Sequence, residues 1–240
     1  MSNLIYLISK PKAIIALVTW PKFSFTSFRI VNRLLDNGIT PKTIIDVGSN
    51  IGQFAVASLK LFPSMKKLYA FEPLPNCINK LKSNLKGFDN VKIYPFALGS
   101  SKGKGGFNVN KNSKASSVLS LGNKHINAFP KAIEIKEINV IISTLDDVFS
   151  NTNFIFPILL KIDVQGFESE VLKGGKKLLE LVDYIVIESS FDPLYNGEMT
   201  FTDLIDFMRE LGFLFEKPVG WLFHPSKEKI LQIDALFRKK

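Results

Sequence analysis

The residues best suited to chemistry in this 240-residue chain are carboxylates at the ends of short apolar runs. Asp46 comes near the end of "TIIDV", Glu72 follows "KLYAF", Asp163 closes "ILLKID" and Glu188 closes "DYIVIE". Runs of this length and composition read as buried strands. In an open α/β sheet the carboxyl ends of such strands border the ligand crevice. Directly after Asp46, residues 48–52 read Gly-Ser-Asn-Ile-Gly. Glycines serve where the backbone turns tightly or approaches a ligand with no Cβ in the way. A loop of this kind holds the phosphate or ribose end of a nucleotide-like cofactor, and several cofactors use one.

Two of those cofactors drop out on spacing. The dinucleotide fingerprint needs glycine at its first, third and sixth positions, which here hold Gly48, Asn50 and Gln53. The phosphate loop of nucleoside triphosphatases needs Gly-Lys-Ser/Thr, and none follows. Glu72 lies about twenty residues beyond the loop, where a carboxylate accepts hydrogen bonds from ribose hydroxyls. Together these features fit a nucleoside cofactor without a pyrophosphate, and S-adenosylmethionine fits them. Glu72, with Pro73 beside it, takes the ribose. Gly48, Asn50 and Gly52 take the amino-acid tail, and Asp46 is aimed at a cationic group. Ala97 and Leu98, at the end of an expected third strand, flank the adenine. Alone, the loop also describes an ordinary tight turn, and Glu72 alone a solvated strand-end carboxylate; the spacing between them carries the signal.

The elements that must position these residues alternate along the chain. Strands are expected near residues 43–47, 67–71, 91–96, 158–163 and 183–188, with helices over 53–62, 75–86 and 167–181. Short strands without polar alternation suit a parallel sheet covered on both faces, which is a doubly wound α/β layer. "FTDLIDFMRELGF" reads as an amphipathic helix capped by Thr200 or Thr202 and stopped at Gly212. Strands near 213–217 and 231–237 then form a closing pair. Residues 99–125, rich in Gly, Ser, Asn and Lys, read as loop or short irregular strand. No internal repeat is visible.

The net charge of +9 invites a negatively charged partner such as nucleic acid, phosphate or an anionic membrane face. Only four of the 31 cationic side chains are arginine, so bidentate phosphate forks are scarce. The lysines are also spread along the chain, which suits a generally basic surface better than a patch. The run "AIIALVTW" falls far short of the ~20 residues a membrane span needs. It suits an amphipathic helix in an N-terminal helical extension, residues 1–40, ahead of a main domain over 41–240, and leaves peripheral membrane contact open. A single cysteine, Cys77, excludes an internal disulfide and fits a reducing, cytoplasmic setting.

Four stretches, "IIDVGSNIGQF", "YAFEPLP", "LLKIDVQGFESEVLKGG" and "IVIESSFDPLYNG", together resemble the FkbM family of S-adenosylmethionine-dependent methyltransferases. The third is the most specific, with Lys161-Ile162-Asp163 ahead of Gly166-Phe167-Glu168 at a helix start. The resemblance implies the class I methyltransferase fold: three layers, α/β/α and Rossmann-like, with a mostly parallel seven-stranded sheet whose last strand is antiparallel. It also implies methylation of a hydroxyl on a sugar, glycan or small natural product. Residues 1–35 and 99–125 lie outside it and leave the acceptor open.

A hydroxyl is a poor nucleophile, and a general base or a metal sharpens it. Asp163 is the first candidate for base or acceptor orientation, with Glu188 and Glu168 beside it as further catalytic candidates; Asp163 could instead cap the helix, and Glu188 could hold a loop. The same three carboxylates offer oxygen ligands for Mg²⁺, but a metal is not the favoured reading. His125 and His224 are the only histidines, and a plain turn role suits His224 better than a catalytic one. Phe191, Tyr195 and Trp221 are candidate walls of an acceptor site. A nucleic-acid methyltransferase is the first rival. Base-amino enzymes carry Asn/Asp-Pro-Pro-aromatic after the fourth strand, where this chain reads "KIDVQGF". The second rival is a non-catalytic binding module of the same fold. A small-molecule or glycan acceptor is expected, no specific nucleic acid, and the oligomeric state is open.

Overall fold

The computed structural model describes residues 10–110, 116–122, 126, 134–226 and 229–240. Among the described residues two helices come first, α1 (Pro11–Thr19) and α2 (Phe25–Asp36). There follow β1 (Thr43–Val47), α3 (Gln53–Leu61), β2 (Lys67–Phe71), α4 (Pro75–Asn84) and β3 (Val91–Tyr94). An inserted segment carries β4 (Ala97–Leu98), β5 (Gly103–Asn110), β6 (Glu134–Ser143) and α5 (Leu145–Phe149). The chain closes with β7 (Ile158–Ile162), α6 (Glu168–Lys173), α7 (Lys176–Leu179), β8 (Tyr184–Ser190), α8 (Phe201–Glu210), β9 (Phe213–Phe223) and β10 (Ile230–Lys239).

Seven strands form one sheet in the order β3-β2-β1-β7-β8-β10-β9. All of its neighbours pair in parallel except β10, which runs antiparallel to both β8 and β9. Strand order reverses between β1 and β7, the point where an open α/β sheet leaves a crevice. Alternate side chains of the central strands enter opposite layers, as the period of two requires. Ile44, Leu159, Val186 and Leu236 join α1 to α4 on one face. Ile45, Leu160, Ile187 and Ala235 join α5 to α8 on the other. The three-layer arrangement is therefore that of the class I methyltransferases, with its antiparallel strand last in the chain.

Three sequence expectations need correction. The expected third strand ends at Tyr94, and Ala97 and Leu98 belong instead to a second sheet, ordered β4-β6-β5. That sheet takes in part of the stretch read as loop or short irregular strand, as the regular eight-residue β5, because Phe107 and Ile138 pair across β5 and β6. Glycine-rich β5 has little strand propensity of its own, so its partner makes it a strand. The expected helix over 167–181 breaks into α6 and α7 around Gly174-Gly175. At α8 the cap is Thr200, whose hydroxyl accepts from the Asp203 amide at 3.3 Å. No helix among the described residues is long and apolar enough to cross a membrane.

Candidate active site

A cavity of about 520 Å³ opens at the carboxyl ends of β1, β2, β7 and β8. Its size lies within the range of small-molecule and cofactor pockets, roughly 300–1,000 Å³. One wall is the loop after β1. Gly48 and Ser49 donate their amides to the Phe71 carbonyl at 3.1 and 2.9 Å, which folds the loop back over β2. Gly48 has φ +80, and a Cβ there would stand 1.9 Å from the Asp163 carbonyl oxygen. Only glycine lets β1 and β7 close at this height.

Glu72 faces the loop. Its two oxygens accept from the Asn50 and Leu74 amides, each at 2.8 Å, and bind the loop to the turn after β2. Burial pushes its carboxyl pKa up to about 7, against the opposing pull of those two amides. Each oxygen keeps a second acceptor position, and the residue lines the cavity together with Pro73, Ala97, Leu98 and Phe96.

Behind the loop, Lys161 sits beside Asp46 in the parallel register of β1 and β7. Its ammonium lies 3.4 Å from Asp46 and 3.2 Å from Asp163, and donates to the Gly48 carbonyl at 3.4 Å. Burial alone would lower the Lys161 pKa, but Asp163 and Asp46 outweigh it and hold the ammonium charged, above its ordinary value. Asp46 is wholly buried, and burial raises its carboxyl despite the lysine. It does not line the cavity. The cation it faces is Lys161, not a ligand group.

Asp163, Glu188 and Asp234 form the floor of the cavity. Gln165 ties the first two, donating from Nε2 to Asp163 at 2.8 Å and to Glu188. Its carbonyl oxygen accepts from the Tyr195 hydroxyl. Gln232 donates to Glu188 at 3.2 Å. Burial pushes the Glu188 carboxyl well above the usual range, and the charges of Asp163 and Asp234 push it further. Burial likewise lifts Asp234 to about 7, helped by Asp163. Room for Asp234 comes from Gly220 on β9, where a Cβ would meet its Oδ2 at 1.9 Å.

Several expected residues lie elsewhere. Glu168 is buried and accepts from the Val164 amide at 3.0 Å, clasping the turn before α6 rather than facing the cavity. Burial raises its pKa to about 8. Gly52 caps α3 behind the loop, at φ +86. Tyr195 is buried behind Gln165, and Phe191 packs on Phe201, so neither is a cavity wall. His224 turns its ring to Ser226 at 2.7 Å, away from the cavity. His125 lies outside the described residues. Trp221 does line the cavity, under the Arg33 guanidinium 4.2 Å from its ring centre. Among the described residues, no three His, Cys, Asp or Glu side chains are arranged to hold a metal ion.

The residues that sequence reasoning missed are Lys161, Gln165, Gln232 and Asp234. The last two had a signal: in "ILQIDALF" they are the polar residues at i and i+2 of an otherwise apolar strand, and so share a face. The N-terminal turn of α2 was also missed; Ser24, Thr26, Ser27 and Ile30 close one side of the cavity.

The strand order, the single antiparallel strand and a crevice beyond the carboxyl ends are those of the class I methyltransferase fold. The model of the methyltransferase FkbM domain matches residues 46–215, and the chain belongs to the FkbM methyltransferase family. It is 27% identical over 183 residues to the 2-O-methyltransferase NoeI of Sinorhizobium fredii, covering 74% of this chain and 75% of that one. Similarity to the hexuronic acid methyltransferase AglP of Haloferax volcanii is 28% identity over 160 residues, covering 66% of this chain and 60% of that one. A solved FkbM methyltransferase from Methylobacillus flagellatus shares the fold, with a TM-score of 0.50, 13% identity and coverage of 98% of this chain and 60% of that one.

Proposed function

We propose that the cavity binds S-adenosylmethionine between the loop after β1 and Glu72, and that the enzyme methylates a hydroxyl of a sugar or glycan. The observation that carries the reading is the division of one cavity between two sets of groups. Glu72, Pro73, Ala97 and Leu98 line one part, and Asp163, Glu188 and Asp234 line another. The first set suits a ribose and a flat base: an acceptor carboxylate with spare lone pairs beside small apolar walls. Gly48 and Asn50 border the place for the amino-acid tail, while Gly52 and Asp46 support the loop from behind. Bound there, S-adenosylmethionine supplies a methyl group already activated for in-line displacement.

The protein's own part is to seat the acceptor and take its proton. Asp163 is the partly exposed carboxylate of the floor and accepts the hydroxyl proton. Lys161 and Gln165 fix its two oxygens, which leaves it aimed into the cavity. Glu188 orients a second hydroxyl of the acceptor once it is ionised, with Trp221 as the apolar wall for a sugar ring. Glu168 has a positioning role through the turn it clasps. The names of NoeI and AglP, which specify a 2-O position and a hexuronic acid, support an oxygen acceptor on a sugar. A floor of three carboxylates disfavours a polyphosphate backbone, which weighs against nucleic acid. In this reading residues 41–240 are the transferase domain, residues 1–40 an extension lending α2 to the cavity, and the buried, reduced thiol of Cys77 suits the cytoplasm.

The test is transfer of labelled methyl from S-adenosylmethionine to a panel of hexuronic acids, neutral sugars, oligosaccharides, phenols and RNA, with and without chelator. Label on a sugar hydroxyl, unchanged by chelator, is expected. Label on RNA alone overturns the acceptor assignment, and absence of S-adenosylmethionine binding by calorimetry overturns the cofactor assignment.

A further inference from the structure

Helix α1 is built inside out for a helix of a water-facing surface. Its small residues Ala13 and Ala16 are fully buried against the core. Its large ones face solvent: Ile14, Ile15, Leu17 and Val18 are 48%, 63%, 45% and 80% exposed. Scattered exposed leucines are ordinary, but four aliphatic side chains on one nine-residue helix form a contiguous apolar face. Nothing between Ala13 and Trp20 carries charge.

The charge along this part of the chain is mostly of one sign. Lys10, Lys12, Lys22, Arg29 and Arg33 precede the first acidic residue of the chain, Asp36. Lys12 and Lys22 bracket the helix, and both are exposed. Lys10 pairs with Asp36 at 3.2 Å and spends part of its charge there. An apolar face between exposed lysines is the pattern of a helix lying in a lipid interface, its aliphatic side chains in the acyl boundary and its lysines among anionic headgroups.

We infer that α1 docks the protein on the surface of an anionic phospholipid bilayer. Alanines on the inner side let the helix lie close on the core while its larger side chains stay outside for lipid. The occupant is lipid rather than a second copy of the chain because an isologous contact would bring the exposed Lys12 and Lys22 of one helix against those of the other, while Asp36, the one acidic residue beside the helix, is already engaged by Lys10. The docked helix also stands near the cavity mouth. Four residues lie between Thr19 and Ser24, which lines the cavity, a reach of at most about 18 Å.

The test is co-sedimentation of the full chain with vesicles of phosphatidylglycerol and phosphatidylcholine, and with phosphatidylcholine alone, at low and high salt. Binding to the anionic vesicles is expected, weakened about tenfold or more by high salt or by Lys12→Glu with Lys22→Glu. The pair Ile15→Glu and Val18→Glu is expected to abolish it. Both substituted side chains point to solvent, so the thermal midpoint should stay unchanged and separate lost docking from lost folding. Equal sedimentation of this variant and the parent overturns the inference. So does a concentration-dependent dimer in sedimentation velocity, without lipid, that the variant dissolves.

Discussion

Asp234 on β10 stands directly opposite Glu188 on β8 in the antiparallel register, which sets two carboxylates side by side on the cavity floor. Like charges directly opposite each other destabilise a ladder. Here Gln232 and Gln165 donate to Glu188, and Lys161 lies close enough to pull on both carboxyls. The arrangement makes the charge of one residue depend on the other.

Removing one charge should therefore retune its neighbour. Asp234→Asn takes a like charge away from Glu188, so the Glu188 carboxyl should ionise at lower pH. The rising limb of turnover against pH is expected to move down by roughly one pH unit, the scale of a neighbouring charge. A profile that stays in place would mean that Glu188 does not govern the limb.

Asp163 and Glu72 line the same cavity but should fail differently. Asp163→Asn keeps the size of the side chain and removes the proton acceptor, so turnover is expected to fall about 10²–10⁴-fold while S-adenosylmethionine affinity changes little. Glu72→Gln keeps at most one of the two backbone amide bonds and is expected to weaken that affinity by about tenfold or more. Calorimetry and single-turnover rates separate the two effects. Equal losses of binding in both variants would show Asp163 to be a cofactor group.

Gly48→Ala tests whether the loop needs glycine for the close passage of β7. The new Cβ would meet the Asp163 carbonyl oxygen on a backbone already at φ +80. Loss of about 2 kcal/mol or more of unfolding free energy is expected, read by urea denaturation. A neutral outcome would show that the two strand ends can separate without cost.

What could be read in advance followed from local pattern. The central strands announce themselves as apolar runs, and Asp46, Glu72, Asp163 and Glu188 are legible because they stand at or within two residues of the ends of those strands, although β8 runs on to Ser190. Lys161 and Asp234 could not be read in the same way, since their meaning depends on which strands become neighbours. Lys161 looks like a charge interrupting a strand until β1 places Asp46 beside it. Glu168 shows the opposite error: it follows Asp163 closely in sequence, yet the turn at Gln165 and Gly166, with φ of 59 and 96, carries it away from the cavity. The second sheet was hidden because β5 is rich in glycine, a residue of low strand propensity, and gains its order from β6.

The raised carboxyl values carry a stability consequence of definite sign. Glu72 near 7, Asp234 near 7 and Glu168 near 8 all hold protons in the folded chain that the unfolded chain has released. An unfolded glutamate ionises near ~4.3. Between that value and about 7 the folded state binds more protons than the unfolded one, so stability falls as pH rises through the window. The contribution is fully present below the unfolded value and lost above the folded one. For Glu72, 4% exposed, the loss is on the order of 3–4 kcal/mol across the whole window, of which about 2 kcal/mol falls between pH 5.5 and the folded value. The ligand-free protein is therefore expected to unfold at a lower temperature at about pH 8 than at about pH 5.5, at constant ionic strength. In Glu72→Gln the decline should be shallower by that amount, because the neutral amide has no proton to lose. A parent and variant with the same slope would place the proton uptake on other groups and leave Glu72 ionised in the folded chain at neutral pH.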